Sequence, residues 1–464
     1  MKIIRFGGFL LASALLVIPA AVAAEKPEAL RWKAGAAAAD ITPEGPVWMA
    51  GYGNRTKPSE TVAQRIFAKA LALENALNSR VVIVTLDLSE VPLQMREAVE
   101  RQVGERYGLP PGAILPNCSH THSGPSTTDW GVRFIRGELA DPLYIEKAAA
   151  YGKMVEGKIV EAIGEAISRS SPANLHYTRA RAGFAMNRRL RNGHVIQNSP
   201  NPEGPVDHDV PVLRVTAPDG SLKAILFGYA CHNTGSGTYA INGDYAGYAQ
   251  AYLEQAHPGT VALFMLGAGG DQNPYPRGTL ELVAQHGRTL ANAVEAALSV
   301  TVQRPVNGPL RSAIGYATID YAVPSRAELE LQTRSRNNAE KARGASLLKK
   351  LEADGKLSAS YLCPVQVVQF GVDLTLIAIG GETTVDYSLR LKQELGHGPA
   401  AVWVAGYSND VFGYMGSRRV IIEGGYEGYS SNVSYGDRHP GPFTTTTEER
   451  VVEKVYELIR AINH

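Results

Sequence analysis

Two imidazoles on alternate residues, His120 and His122, stand in the stretch Asn117-Cys118-Ser119-His120-Thr121-His122-Ser123-Gly124-Pro125. Histidine nitrogens either ligate metal or carry protons near neutral pH, so the pair can serve either chemistry. Further chemistry-bearing side chains recur directly after short apolar runs. Asp87 follows VVIVTL, His232 and Asn233 follow AILFGYAC, and Asp271 and Asn273 follow VALFMLGAGG. Glu382 follows LTLIAIGG, and Asn409, Asp410 and Tyr414 follow AVWVAGYS. His120, His232 and Glu382 form a set of the kind that holds hydrolytic zinc, which usually takes two or three His, Glu or Asp ligands and keeps a position for water. Alternate side chains of an extended segment point to opposite faces. Unless the chain turns, His120 is therefore expected on the metal and His122 beside it as an acid, base or supporting group.

The runs that carry these residues read as buried strands over 81–88, 224–230, 261–267, 374–380 and 401–406, each short, β-branched and bounded by Gly or polar residues. Helical periodicity lies between them, over 95–108, 144–167, 244–256, 280–298, 384–396 and 447–463. Alternating strands and helices predict an α/β fold, a mixed β-sheet core flanked by helices, in one large catalytic domain over residues 24–464. In such folds ligands gather outside the carboxyl ends of the strands, where the residues above fall. The charged helical segment 326–357 is expected to be a solvated excursion packed on the main body.

Lys2, Arg5, an apolar run and Ala21-Val22-Ala23 read as a secretory signal peptide over residues 1–23, so the protein is expected to be periplasmic or secreted. The run is too short to span a bilayer and Pro19 interrupts it, so no transmembrane anchor is expected after cleavage. Lys and Arg total 46 against 45 Asp and Glu, a balance that argues against a nucleic-acid partner. With three cysteines the chain is no disulfide scaffold; Cys118 and Cys231 read either as thiols near the histidines able to ligate or pair, or as small buried residues.

The motifs, in order, resemble those of the neutral (alkaline, non-lysosomal) ceramidase family, zinc-dependent amidases of the N-acyl bond of ceramide. The likeness runs through AGAAAADITPEGPVWMAGYG (34–53), CSHTHSGP, FAMNRRL (184–190), CHNTGSGTYAINGDYAGYA (231–249), GGETTVDYSLRLKQEL (381–395) and SNDVFGY (408–414). It implies zinc ligation by His120, His232, Glu382 and Tyr414, with His122 beside the metal as a proton carrier. It also suggests that Arg188 binds a substrate oxygen or carboxylate, with a surface salt bridge as the other reading. The family's Gly-Asp-x-Ser-Pro is Gly270-Asp271-Gln272-Asn273-Pro274 here. An amide cannot be a deprotonated nucleophile but can donate to an oxyanion, so attack by metal-activated water is expected, assisted by Asn273 and Tyr414.

Long family members add a C-terminal β-sandwich, which is not expected before His464. Arg188, Asn233, Asp271 and Trp130 are the expected substrate contacts, with Trp130 in a mouth over 126–144 that mixes aromatics and charges. The expected substrate is a small-molecule or lipid amide, ceramide-like or another N-acyl amine. A zinc esterase or lactonase, and a non-catalytic metal-holding envelope protein, are the rival readings.

Overall fold

The computed structural model describes residues 32–128, 132, 141–301, 303–397 and 400–463; residues 1–23 and Trp130, which carried expectations, lie outside them. Among the described residues nine strands form a mixed sheet. In chain order they are β1 (Trp32–Asp40), β2 (Phe67–Glu74), β3 (Arg80–Leu86), β4 (Ile114–Cys118), β5 (Ser171–Arg181), β6 (Asp209–Thr216), β7 (Leu222–Tyr229), β8 (Val261–Leu266) and the short β9 (Arg304–Pro305). Across the sheet the order is β8-β7-β6-β5-β1-β2-β3-β4, with β9 paired to β5. β3 with β4 and β7 with β8 are parallel; the other pairs are antiparallel. A second sheet runs β10 (Leu310–Asp320), β11 (Ser360–Phe370), β12 (Leu374–Ile379) and β13 (Ala401–Ala405), with β12 and β13 parallel.

The two sheets lie face to face. Leu71, Ile83, Leu226 and Met265 of the first interlock with Val368, Leu376 and Trp403 of the second in one apolar core. On its other face the large sheet buries helices α1 (Leu93–Tyr107), α2 (Pro142–Ser168), α3 (Asp244–Ala256) and α4 (Leu280–Leu298). The outer face of the small sheet is covered by helices: after α5 (Arg326–Gln332) and α6 (Asn338–Asp354) come α7 (Val385–Leu395) and α8 (Thr447–Asn463), and these last two do the covering. The mixed α/β architecture expected from the sequence is present, as four layers with two sheets inside. A strand buried on both faces has the same composition whether a helix or a second sheet covers it.

Alanine-rich β1 has a helix-former composition, yet it pairs over its length with β2. Its small side chains let α2 approach: a Cβ on Gly35 would stand 2.2 Å from the Ala166 carbonyl oxygen. Gly35→Ala is expected to push the helix outward and cost about 1–3 kcal/mol, read as a lower denaturant midpoint; an unchanged midpoint would show that the contact relaxes freely.

The 326–357 segment is α5 and α6, opened by a Ser325–Glu328 capping box and tied to the body by Arg343, which donates to the carbonyls of His439 and Pro440 at 3.0 and 2.6 Å. Among the described residues no helix is long and apolar enough to cross a membrane.

Candidate metal centre

The carboxyl ends of both sheets meet at one place. Asn117, on β4, ties them together by donating to the Gly406 carbonyl beyond β13 (2.7 Å) and to Ser408 Oγ (3.0 Å). Two residues past β4, His120 adopts φ +58°, so the segment is not extended there. The expected opposite facing of the two imidazoles therefore does not occur: His122 Nε2 lies 3.1 Å from His120 Nε2. His232, three residues past β7, joins them, and the nitrogens of the three rings lie within 4.8 Å of one another, a group able to hold a metal ion. Glu382 arrives from the other sheet on a two-residue strand, Glu382–Thr383, that pairs in parallel with Tyr414–Met415 and sets Glu382 directly beside Tyr414.

The donor atoms are prepared for a cation. His232 Nδ1 faces the Gly269 carbonyl at 2.7 Å, and His120 Nδ1 faces the Ser89 carbonyl. A carbonyl only accepts, so each Nδ1 carries the proton and a neutral ring turns a bare Nε2 lone pair inward, the usual support for a metal-binding imidazole. Burial pushes the His232 imidazole down to about 4 and that of His122 well below its ordinary value, the neighbouring rings adding to the second shift.

Glu382 Oε2 stands 3.2 Å from His120 Nε2 and 3.1 Å from His232 Nε2. Acceptors at that separation repel unless something positive lies between them. The spacing also matches the edge of a tetrahedron of ligands about 2.0 Å from one ion, roughly 3.3 Å. The residues present thus fit zinc.

Tyr414 completes the ring. Its hydroxyl is 3.3 Å from His232 Nε2 and accepts from Arg188 Nη2 at 2.8 Å. Arg188 is buried. Its Nε donates to Glu427 Oε1 (2.8 Å) and its Nη1 to Asn273 Oδ1 (3.1 Å). Asn273 Oδ1 also accepts from Thr234 Oγ1 at 3.1 Å, while its Nδ2 donates to nothing among the described residues. Tyr435 closes the far side by donating to Glu382 Oε1.

Two of the expected substrate contacts, Asn233 and Asp271, serve as internal braces. Asn233 donates to the Ser119 carbonyl at 2.6 Å and accepts from the Ala246 amide at 3.1 Å, so it locks the His120 and His232 loops together. Asp271 accepts from the Val385 amide, the first of α7, at 2.9 Å and from Asn187 Nδ2 at 3.1 Å; burial pushes its carboxyl up to about 6. Both are fully buried. Arg188 is no surface salt bridge, since it and Glu427 are both buried. Cys118 and Cys231 are free buried thiols outside the histidine group, in keeping with the reading as small packing residues. Asp87 reaches the same end of the fold but is occupied by the Phe67 amide and Gln250. Glu427, Tyr435 and Thr234 were not singled out from sequence; Glu427 and Tyr435 follow no apolar strand, the signal used to find the others, and Thr234 stands directly after Asn233, past β7.

Gly51 sets the position of His122. Its φ is +88°, and a Cβ there would sit 2.3 Å from His122 Cγ. Gly51→Ala is therefore expected to displace the ring and reduce turnover by roughly 10–100-fold, since misplacement by an ångström can cost that much. Steady-state kinetics at wild-type rate would remove the positional role.

The family described as "Neutral/alkaline non-lysosomal ceramidase, N-terminal" matches residues 32–294, more than half of the chain and inclusive of all three histidines. Two proteins named neutral ceramidase, from Drosophila melanogaster and Drosophila pseudoobscura pseudoobscura, are each 24% identical over 241 residues. The aligned part is 49% of this chain and 32% of theirs. Among solved structures, one described as "Ceramidase complexed with C2" superposes with TM-score 0.71 at 18% identity. Neutral ceramidase from Pseudomonas aeruginosa gives 0.70 at 19%. Each likeness covers 94% of this chain and 75% of the other, and at such identity establishes the shared fold.

Proposed function

The chain belongs to the neutral/alkaline non-lysosomal ceramidase family, and from that premise we propose that it is a zinc-dependent hydrolase of N-acyl amide bonds, secreted or periplasmic, acting on a ceramide-like lipid or another N-acyl amine. The observation that carries the reading is the convergence of His120 Nε2, His232 Nε2 and Glu382 Oε2, three acceptors from two sheets at tetrahedral-edge spacing. His120, His232, Glu382 and Tyr414 would hold the ion. Zinc in such a set supplies a Lewis acid for a carbonyl and lowers the pKa of water to about 7.

The chain's own groups do the rest. Water adds its oxygen to the acyl carbon, the C–N bond breaks, and the water's protons pass to the carboxyl-amine pair of products. His122, whose ring no backbone carbonyl among the described residues fixes, carries the proton to the leaving nitrogen. The unbonded Asn273 Nδ2 and the Tyr414 hydroxyl, polarised by Arg188, donate to the oxygen that gains charge. Asn273 occupies the Ser position of the family motif without needing to be a nucleophile.

The closeness of His122 to His120 supports a second reading in which His122 is a third imidazole ligand. The test of function is release of fatty acid and amine in equal amounts from an N-acyl amine panel, abolished by a chelator and restored by zinc. Stoichiometric zinc without turnover on any amide would leave a metal-holding binding protein.

A further inference from the structure

We propose that Arg277, at the rim of the centre, selects amide substrates that carry an anionic group beside the scissile bond, the best fit being an N-acyl amino acid whose amine half bears a carboxylate. The inference rests on the amidase reading above and narrows it.

Thr234 is the junction that brings Arg277 to the site. Its hydroxyl donates to Asn273 Oδ1 at 3.1 Å and accepts from Arg277 Nη1 at 3.3 Å; its carbonyl accepts from the Tyr52 hydroxyl at 3.3 Å. Tyr52 in turn packs edge-on against His122, ring centroids 4.7 Å apart. Arg277 is thus joined by two hydrogen bonds to the amide that stands in for the family Ser.

The two guanidinium groups on either side of Asn273 differ in charge balance. Arg188 is buried and neutralised by Glu427 at 2.8 Å. Arg277 is exposed and pairs with no carboxylate among the described residues. The buried Asp244 carboxylate feels the charge of Arg277 but forms no ion pair with it, accepting instead from the amides of Gly235 (2.9 Å) and Tyr245 (2.8 Å). Arg277 is also restrained, with Tyr275 5.5 Å below its guanidinium, so part of the entropy of ordering the side chain is already lost. A restrained planar fork with no ion-pair partner among the described residues matches a carboxylate bidentately and gains little from the neutral hydroxyls of a ceramide.

The test compares N-lauroylglycine, N-lauroylethanolamine and the mono-dodecylamide of a dicarboxylic acid, which moves the carboxylate to the acyl half. Wild-type kcat/KM is expected to favour N-lauroylglycine over the neutral amide by about 10–100-fold, the range for a hydrogen-bonded charge. In Arg277→Gln that ratio should collapse toward one, mainly through KM, and Arg277→Lys should recover part of it. Preference for the acyl-side carboxylate assigns the anion to the other half of the substrate and overturns the N-acyl amino acid assignment. Cleavage of the neutral amide with no preference overturns the inference and leaves the amidase reading standing. If no amide is cleaved, calorimetric binding of N-lauroylglycine decides: affinity lost in Arg277→Gln keeps the anion site while the amidase reading falls, and no Arg277-dependent affinity removes both.

Discussion

His120→Ala and His232→Ala are each expected to lose the metal and the reaction together. Zinc retained after dialysis should fall from about one per chain to under about a tenth, and turnover by on the order of 10³-fold or more, because the Lewis acid leaves with its ligand. The geometry makes the loss severe. With either imidazole gone, Glu382 keeps only one ring partner across its Oε2. His122→Ala separates the two readings of that residue. As a proton carrier it should retain zinc and lose roughly 10²–10⁴-fold in rate; as a ligand it should lose zinc as well. A zinc-free yet active His120→Ala protein would end the metal assignment.

Arg188→Met is expected to act on stability and rate at once. Three acceptors, Glu427, Asn273 and Tyr414, each take a separate arm of this guanidinium at 2.8–3.1 Å. Breaking a buried ion pair by removing one partner costs about 3–5 kcal/mol. The lower end is expected here, because Arg189 Nη1 still reaches Glu427 at 2.6 Å. Turnover should fall by a further 10²-fold or so as Tyr414 and Asn273 lose their common anchor, with zinc content preserved. Arg188→Lys keeps the charge but cannot serve three diverging acceptors, so it should rescue stability more than rate. Denaturant unfolding and single-turnover kinetics on both variants check this; wild-type behaviour of Arg188→Lys would reduce Arg188 to a point charge. Combining Arg188→Met with Glu427→Gln should cost less than the sum of the singles, since the partner is no longer a buried anion.

What could be read from the sequence was position along the chain; what could not was direction. Helices 244–256, 280–298 and 447–463 have the bounds their periodicity predicts, because each carries an uninterrupted apolar stripe. His120, His232, Glu382 and Tyr414 follow buried strands and do meet. Asn233 and Asp271 follow buried strands too, yet turn inward to hold loops and a helix terminus, and nothing in a strand-end position distinguishes the two outcomes. The left-handed turn at His120 had no glycine to announce it. The hairpin Ala185–Asn192 and Val195–Asn201, which presents Arg188, is too polar to show an apolar run. Tyr435 and Glu427 lie in irregular or π-helical chain, where no periodicity exists to read.

The meeting of two stacked sheets at the histidines has a consequence for assembly. His120 and His232 are carried by one sheet, Glu382 and Tyr414 by the other, so an ion held by all four is a clasp across their interface. Such an ion binds only the docked arrangement, and its affinity is added to the folding free energy by mass action. Residues 150 and more apart in the chain must already be neighbours before the ion finds its full set. An ion so held would be captured only once the sheets have docked, and its withdrawal would remove the clasp from the edge where they meet.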